Sequence, residues 1–341
     1  MSSLNRQHPP SGLIPPARAV LARSADERDV SDKNTALLLL GRALREAGYR
    51  FTTPTPATHA LVNARPANST AKSVVDVFGW SRPFREGALP HEIETLARRA
   101  GIVEPEQHFW RSTVRFSTLG ELLFVHSAFP TVGADAVFFG PDTYRFGRVL
   151  TDAANAPLPK SIRIIDIGSG SGAGGLHLAH CLRRRSDVEL VLSDINTQAL
   201  RFSALNAALN DCAAIVVHSD VLCGIEGDAD VIIANPPYLL DGAKRLYRHG
   251  AGSYGEGLSV RIVRESLPRL RRNGRLILYT GTAIVDGVDT FWREVEPHLK
   301  GSSSFVYDVI DPDVFGEELQ QELYGDVDRI AAVALTVQEQ K

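Results

Sequence analysis

The chain has 341 residues, a length that suits two domains better than one. Its hydrophobic content of 44% and charged content of 23% are typical of a soluble globular protein, and no apolar run approaches the ~20 residues that span a bilayer. The net charge of −3 disfavours a protein that holds a long nucleic-acid duplex by its phosphates, although it leaves room for a local basic patch. We therefore expect a cytoplasmic protein without a membrane segment.

The first residues lack the unbroken hydrophobic stretch of a signal peptide. Prolines interrupt this segment at positions 9, 10, 15 and 16. We predict a mobile tail over residues 1–28 and no signal peptide.

Residues 29–135 are predicted to form a small α+β domain. Asn34–Ala47 and Pro90–Ala100 have helical patterns that end at glycines. Trp110–Phe116 and Leu122–Ser127 are predicted to form a β-hairpin. Helices followed by a hairpin resemble a winged-helix module. Such a module is either a substrate-recognition domain or an accessory that packs on one flank of a catalytic sheet.

Residues 136–341 are predicted to form the second domain, in which strands and helices alternate as in a doubly wound α/β sheet. Ile162–Ile167 is an apolar, β-branched run that predicts a buried strand, and Ala173–Leu182 has helical spacing. The turn between them contains Gly168, Gly170 and Gly172. A strand, a glycine-rich turn and a helix in this order let the backbone approach a nucleotide-like ligand closely.

Acidic residues follow the next two predicted strands. Val188–Leu192 leads to Asp194, and Ile215–Val217 leads to Asp220. A carboxylate at the tip of the second strand can accept hydrogen bonds from both ribose hydroxyls of an adenosyl group, and one after the third strand can meet the adenine amino edge. Each Asp alone also suits a surface or capping position, but their succession after the glycine turn favours a nucleotide-type site.

The fourth strand of this series ends in an unusual sequence. Asp230–Ala234 is an apolar run, and Asn235-Pro236-Pro237-Tyr238 follows it directly. The Asn side chain and a Pro carbonyl provide two acceptors that can hold both hydrogens of a planar –NH2 group, over which Tyr238 can stack. Taken alone, the segment is equally typical of a tight turn after a strand.

The rest of the chain continues the alternation. Helices are predicted over Leu258–Leu270 and Asp289–His298. Strands are predicted over Arg275–Thr280, Phe305–Ile310 and Ile330–Val337, the last two as an antiparallel pair at the sheet edge.

Cysteine and histidine positions argue against disulfides and metal. Cys181, Cys212 and Cys223 form no Cys-x-x-Cys pair and are odd in number, which fits a reducing compartment. The histidines have no spacing with these cysteines that would make a tetrahedral zinc site. We expect no metal, and we interpret His177 and His180 as helix-surface or packing residues.

These features together resemble the class I S-adenosylmethionine-dependent methyltransferases, in the branch whose fourth strand ends in Asn/Asp-Pro-Pro-Tyr/Phe. The resemblance covers about Phe138 to the C-terminus. It implies a seven-stranded Rossmann-like sheet, S-adenosylmethionine as cofactor and methylation of a planar nitrogen, either a protein glutamine side chain or the exocyclic amine of adenine or cytosine. Pro141-Asp142-Thr143 and Tyr254–Leu258 are similar to segments of the protein-glutamine N5-methyltransferases that act on peptide-chain release factors.

The resemblance also implies a role for each site residue. Asp194 would hold the ribose of the cofactor and Asp220 its adenine. Asn235, also counted among the cofactor contacts, and Pro236 would hold the target NH2, and Tyr238 would stack on the group that carries it. The methionine part of the cofactor would be held by Asp166, Gly168, Gly170 and Gly172.

The substrate class stays open between two macromolecules. The two segment similarities favour a protein glutamine (N5). The winged-helix-like region and the basic segment Lys244–His249 favour N6-methylation of adenine in RNA or DNA. The cations of that segment, Lys244, Arg245 and Arg248, equally suit an acidic protein surface or plain solvent. A non-catalytic S-adenosylmethionine-binding module is a weaker alternative, because a pure binder has no need of the Asn235–Tyr238 clamp.

Overall fold

Residues 25–131, 133–242, 245–300 and 304–339 are the part of the chain that the computed structural model describes. Most of the predicted tail, residues 1–24, lies outside this part. The remaining residues of that tail, 25–28, belong to the first helix.

The described N-terminal part consists of four α-helices, one 3-10 turn (Pro66–Asn68) and two hairpins. The helices are α1 (Ala25–Glu46), α2 (Pro56–Asn63), α3 (Val74–Phe78) and α4 (His91–Arg99). The hairpin strands are β1 (Val103–Glu106), β2 (Phe109–Ser112), β3 (Val114–Leu119) and β4 (Leu122–Ser127).

The predicted hairpin is present, but its first strand is shorter than predicted. Leu119 and Leu122 are paired across the turn of β3 and β4, whereas Trp110 belongs to β2 and pairs with Pro105. Strands β2 and β3 are interrupted at Thr113. There the Ser112 side chain hydrogen-bonds to the Val114 backbone, donating to its O at 2.7 Å and accepting from its N at 3.3 Å.

The larger part begins with α5 (Pro141–Ala154) and contains one central sheet. Its parallel strands are β5 (Ser161–Ile167), β6 (Asp187–Asp194), β7 (Ile215–His218), β8 (Ala229–Ala234) and β9 (Leu270–Val285). The two-residue β10 (Val288–Asp289) pairs with the end of β9, and β11 (Ser304–Val314) and β12 (Arg329–Gln338) complete one edge as an antiparallel pair. The order β7-β6-β5-β8-β9-β12-β11 confirms the predicted doubly wound seven-stranded α/β sheet.

Helices cover both faces of this sheet. They are α6 (Ala173–Leu182), α7 (Thr197–Leu209), α8 (Gly257–Ser266) and α9 (Thr290–Leu299). Among the residues placed by the structure, no helix has the length and apolar character needed to span a membrane.

The segment between α8 and β9 differs from the prediction. The helix was predicted to reach Leu270, but α8 ends at Ser266 and one 3-10 turn follows, because Pro268 cannot supply a backbone N–H. Strand β9 then begins at Leu270 instead of Arg275. The predicted turn at Asn273 is an irregularity in the ladder between β8 and β9, and Asn273 has a φ of 60° there.

The N-terminal part packs on one helix of the sheet. Phe202, Leu205 and Leu209 of α7 are buried in the same apolar cluster as Leu37 of α1 and Phe116 of β3. The two parts of the chain therefore share a hydrophobic core, and this core fixes the N-terminal part beside the carboxyl ends of the parallel strands.

Candidate active site

The site lies where the strand order of the sheet reverses, between β5 and β8. Ile167 and Ala234 are the last residues of these neighbouring parallel strands and face each other in register. Gly168 and Asn235 follow them directly, so the glycine turn and the Asn-Pro-Pro-Tyr segment leave the sheet side by side. Open α/β sheets bind ligands in the crevice at this position.

The three glycines of the turn have a left-handed backbone. Gly168, Gly170 and Gly172 have φ values of 66°, 56° and 77°. A Cβ at Gly168 would meet nothing within 4 Å, so the space beside this turn is open on the ligand side. The turn is attached to the neighbouring strand β6, because the backbone N–H of Ser169 donates to Ser193 O at 2.8 Å.

Asp166 and Asp194 tie the turn to its neighbours. Oδ2 of Asp166 accepts from the N–H of Gly175 at 2.8 Å, and burial raises the pKa of Asp166 to about 7. Asp194 accepts from Gly170 N and from Asn196 N, both at 2.9 Å, and burial raises its pKa as well. Both carboxylates line the cavity and retain acceptor capacity for a ligand.

Asp220 also lines the cavity, but its carboxylate has a cationic partner that the sequence did not reveal. Its oxygens accept from Nη1 and Nη2 of Arg261 at 2.8 and 3.1 Å. Arg261 lies on α8, 41 residues away in the chain, and no local motif links the two. A ligand that approaches Asp220 therefore meets an ion pair and not an isolated carboxylate.

Tyr238 is held firmly on the clamp side of the site. Its ring lies against Gly281, where a Cβ would come within 2.2 Å of Tyr238 Cδ2. Its hydroxyl donates to Oδ2 of Asp142 at 2.7 Å, and Oδ1 of Asp142 accepts from the Tyr279 hydroxyl at 2.7 Å and from Arg145 Nη1 at 3.1 Å. The sequence singled out the segment around Asp142 but gave that carboxylate no role.

Asn235 is half-buried, and Pro236 is buried beside it. Within the described ranges, no residue forms a hydrogen bond with the Asn235 side chain. Its amide is therefore available to a ligand, in contrast to the carboxylates around it.

These residues share one cavity of about 790 Å³, within the size range of small-molecule sites. The sheet side is formed by the glycine turn and the strand ends. The opposite side comes from the N-terminal part and includes Thr53, Thr55, Pro56, Arg115 and Phe129.

The sequence of the sheet region matches the family model described as "Methyltransferase small domain", over residues 147–283. The chain is 31% identical over 145 residues to the release factor glutamine methyltransferase of Lactococcus lactis, which covers 39% of this chain and 53% of that protein. It is 29% identical over 165 residues to the tRNA1(Val) (adenine(37)-N6)-methyltransferase of Aeromonas hydrophila, covering 46% and 62%. It is 36% identical over 100 residues to the ribosomal RNA small subunit methyltransferase C of Pasteurella multocida, covering 29% of each chain.

The sheet region is a methyltransferase domain of the class I S-adenosylmethionine-dependent type. The predicted family is thereby confirmed, and S-adenosylmethionine is the cofactor of this family. The chain spans about half the length of the release factor enzymes that it matches. The family match begins at residue 147, so the N-terminal part of the methyltransferase lies outside it.

The cavity of this methyltransferase fits the cofactor of its family. The open, left-handed glycine turn leaves room for a ligand against the backbone. Asp194 presents a carboxylate acceptor at the tip of the neighbouring strand, and Val221 and Ile262 add apolar surface near Asp220. This combination suits an adenosyl group with its ribose hydroxyls.

The described arginines of the basic segment are paired with carboxylates, whereas the sequence also allowed them to be free. Lys244 lies outside the described residues. Arg245 forms a bidentate pair with Asp241, with Nη2–Oδ1 at 2.6 Å and Nε–Oδ2 at 3.0 Å, and this hydrogen bonding lowers the pKa of Asp241 to about 2. Arg248 is paired with Glu318 and lies 3.6 Å from Asp241 Oδ1. The charges of Arg245 and Arg248 are therefore largely neutralised within the chain.

Proposed function

We propose that this protein transfers a methyl group from S-adenosylmethionine to a planar amide or amine nitrogen of a macromolecule, and that the first candidate is a glutamine side chain of a protein. The observation that carries the proposal is the position of Asn235. Its uncommitted amide follows β8 at the strand-order reversal, directly beside the glycine turn.

Each residue of the site has a separate role in this proposal. Asp166 and the glycine turn would hold the methionine part of the cofactor, Asp194 its ribose and Asp220 its adenine. When bound, the cofactor supplies an electrophilic methyl group on a sulfonium. The oxygens of Asn235 and Pro236 would accept both hydrogens of the target NH2 and turn its nitrogen toward that methyl group.

Tyr238 would contact the flat face of the target group. Asp142 fixes the hydroxyl end of the ring, and Gly281 allows the ring to lie close to β9. A ring that is already immobilised loses little entropy when the substrate binds. Phe129, Phe138 and Tyr247 line the same cavity and would help to exclude water from the reacting nitrogen.

Two observations favour a protein over a nucleic acid. The release factor relatives match the chain at 31% and 32% identity. In addition, Arg245 and Arg248, the described cations of the basic segment, are occupied by internal carboxylates and so offer little to a phosphate backbone.

The alternative substrate is adenine (N6) in RNA or DNA. It is supported by the relatives named as tRNA and ribosomal RNA methyltransferases, and by the rings of Phe138 and Tyr247, which lie stacked at 6.3 Å on the cavity lining. Residues 29–135 are proposed to be the substrate-recognition domain in either case, because they provide one wall of the cavity. Residues 136–341 are proposed to be the methyltransferase domain.

The experiment uses purified protein, methyl-labelled S-adenosylmethionine and a lysate of the source organism. Label that protease treatment removes and nuclease treatment leaves would support a protein substrate, and the reverse would support a nucleic acid. Mass spectrometry of the labelled fraction would then locate the methyl group. Label on a carboxylate, or on carbon, would contradict the proposal.

A further inference from the structure

Arg115 is a buried cation that has no anionic partner among the residues that the structure describes. It lies on β3 with 4% of its surface exposed, and its Nε donates to Gly79 O at 2.6 Å. Its Nη2 is buried without a hydrogen-bond partner, and none of the described carboxylates lies within 4 Å of the guanidinium. Phe51 and Phe129 lie beside the group, with ring centroids 5.4 and 5.9 Å from Cζ.

An unpaired charge in such a place is costly for the free protein. Burial lowers the pKa of Arg115 to about 10, so the side chain remains a cation at neutral pH. Four arginines line the cavity among the residues that the structure describes, and the other three, Arg145, Arg245 and Arg248, each have a carboxylate partner. Arg115 is therefore the cation in this wall whose charge is uncompensated.

The amino end of α2 lies on the same wall. Thr55, Pro56 and Ala57 line the cavity with Arg115. Thr55 caps this eight-residue helix by accepting from Thr58 N, and its first turn contains no acidic residue. Pro56 has no N–H, and Thr58 N and His59 N are bonded to Thr55, so Ala57 offers the free N–H of this turn among the described residues. The partial positive charge of the helix end and this N–H favour an anion independently of Arg115.

We propose that Arg115 and the first turn of α2 form an oxyanion subsite that binds a carboxylate of the protein substrate, next to the glutamine that enters the clamp. The inference rests on the proposed function, because it specifies which protein segments the same cavity accepts. Peptide segments with an acidic residue close to the target glutamine would be preferred.

The surroundings favour one carboxylate over a chain of phosphates. Asp313, Glu317 and Glu318 line the cavity together with the site aspartates. A nucleic-acid backbone would bring several phosphates past these carboxylates, and it needs several available cations. A single planar carboxylate needs only the free edge of one guanidinium and the helix end.

The first test needs no substrate. Thermal unfolding is measured with S-adenosylhomocysteine present, in sodium acetate and in sodium chloride of equal ionic strength, for wild type, Arg115→Met, Arg115→Lys and the exposed control Arg272→Met. We expect a saturable stabilisation by acetate in wild type and Arg272→Met, a weaker one in Arg115→Lys and none in Arg115→Met. An acetate response in Arg115→Met equal to that of wild type would overturn the subsite.

A second measurement separates the substrate from the cofactor. Arg115→Met should bind S-adenosylhomocysteine within about twofold of wild type. A loss of tenfold or more would mean that Arg115 holds the cofactor's own carboxylate, and the proposal would be wrong. If Arg115→Met melts at or above the wild-type temperature, the charge of Arg115 does not stabilise the free protein, which agrees with a role in ligand binding. If the variant is strongly destabilised and its acetate response equals that of wild type, Arg115 has a structural role and the subsite is wrong.

A third measurement uses peptides with a central Gln flanked by either Asp or Asn. Wild type should have a KM at least tenfold lower for the Asp peptides, and Arg115→Met should remove this difference and leave kcat within about threefold. Equal KM values in wild type would refute the carboxylate preference.

The outcomes also separate the subsite from the proposed function. If no Gln peptide is methylated but the acetate response depends on Arg115, the proposed function is wrong and the subsite stands. Oligonucleotides that compete with acetate only when Arg115 is present would overturn the peptide assignment in favour of phosphate.

Discussion

The hydroxyl of Tyr238 donates a 2.7 Å hydrogen bond to Oδ2 of Asp142, and this bond joins the segment after β8 to the first turn of α5. Asp142 is buried and accepts from Tyr279 as well. The residue proposed to stack on the substrate is therefore positioned by a carboxylate almost 100 residues earlier in the chain.

Tyr238→Phe should lower methyl transfer by about 10–100-fold at most, because it removes one hydrogen bond to the Asp142 carboxylate, worth about 1.5–3 kcal/mol, and keeps the ring. Tyr238→Ala should lower it much further, since the ring itself is lost. Label incorporation per minute, at saturating cofactor, measures both. Equal activity of the Phe and Ala variants would contradict a stacking role for the ring.

Asp194→Ala should abolish detectable cofactor binding, because the proposed acceptor of the ribose hydroxyls is lost and the anchor of Gly170 is lost with it. Titration calorimetry with S-adenosylhomocysteine is the measurement, and circular dichroism would show that the variant is folded. The exposed carboxylate Asp152, on α5 outside the cavity, provides the control variant Asp152→Ala. Unchanged affinity in a folded Asp194→Ala protein would remove Asp194 from the site.

Asp166 should make the protein less stable as pH rises. Burial raises its pKa from 3.8 to about 7, so the folded state holds this proton more tightly than the unfolded chain does. Between about pH 4 and pH 7 the unfolded carboxyl ionises first, and the free energy of unfolding falls by up to about 1.4 kcal/mol per pH unit. Asp166→Asn should lack this contribution, so its stability relative to wild type should increase across that range. Parallel urea-unfolding profiles of the two proteins would contradict the assignment.

Asn206 should be a main attachment of the N-terminal part to the sheet. Its Oδ1 accepts from Val125 N at 2.8 Å, and its Nδ2 donates to Val125 O and Ser171 O at 2.9 and 2.8 Å, all in a fully buried position. Asn206→Ala should cost on the order of 3–5 kcal/mol of unfolding free energy, because three buried backbone groups lose their partner. Asn210 is half-buried and bonds the backbone N and O of Leu123 in the same way. Asn210→Ala should therefore cost less unfolding free energy than Asn206→Ala. A smaller effect at Asn206 than at Asn210 would contradict this account.

The strands of the sheet and the turns that follow them could be predicted from the sequence because their signals are local. Apolar runs such as Ile162–Ile167 define buried strands, and glycines with left-handed backbone define the turn that follows. The Asn-Pro-Pro-Tyr segment carries its chemistry within four residues. Each of these features depends on neighbours in the chain.

The long-range partners could not be predicted in the same way. The pairing of Asp220 with Arg261, and of Arg248 with Glu318, depends on side chains that meet only in the folded sheet. The uncompensated charge of Arg115 is likewise a property of its surroundings, since a lone Arg in an alternating strand usually faces solvent. The basic residues counted along the sequence therefore overstated the number of free cations around Lys244. The same count did not reveal Arg115 as the uncompensated cation of the cavity wall.

The clamp at Asn235 is the centre of this account, and Asn235→Ala tests it most directly. Label transfer from S-adenosylmethionine to the native substrate in lysate should fall by about 10²–10³-fold, because a preorganised group at the reacting nitrogen is removed. The dissociation constant of S-adenosylhomocysteine should stay within about twofold of wild type, since Asn235 is proposed to act chiefly on the target nitrogen. Near-normal transfer by Asn235→Ala, at equal cofactor affinity, would contradict the clamp and the proposed methylation of a planar nitrogen.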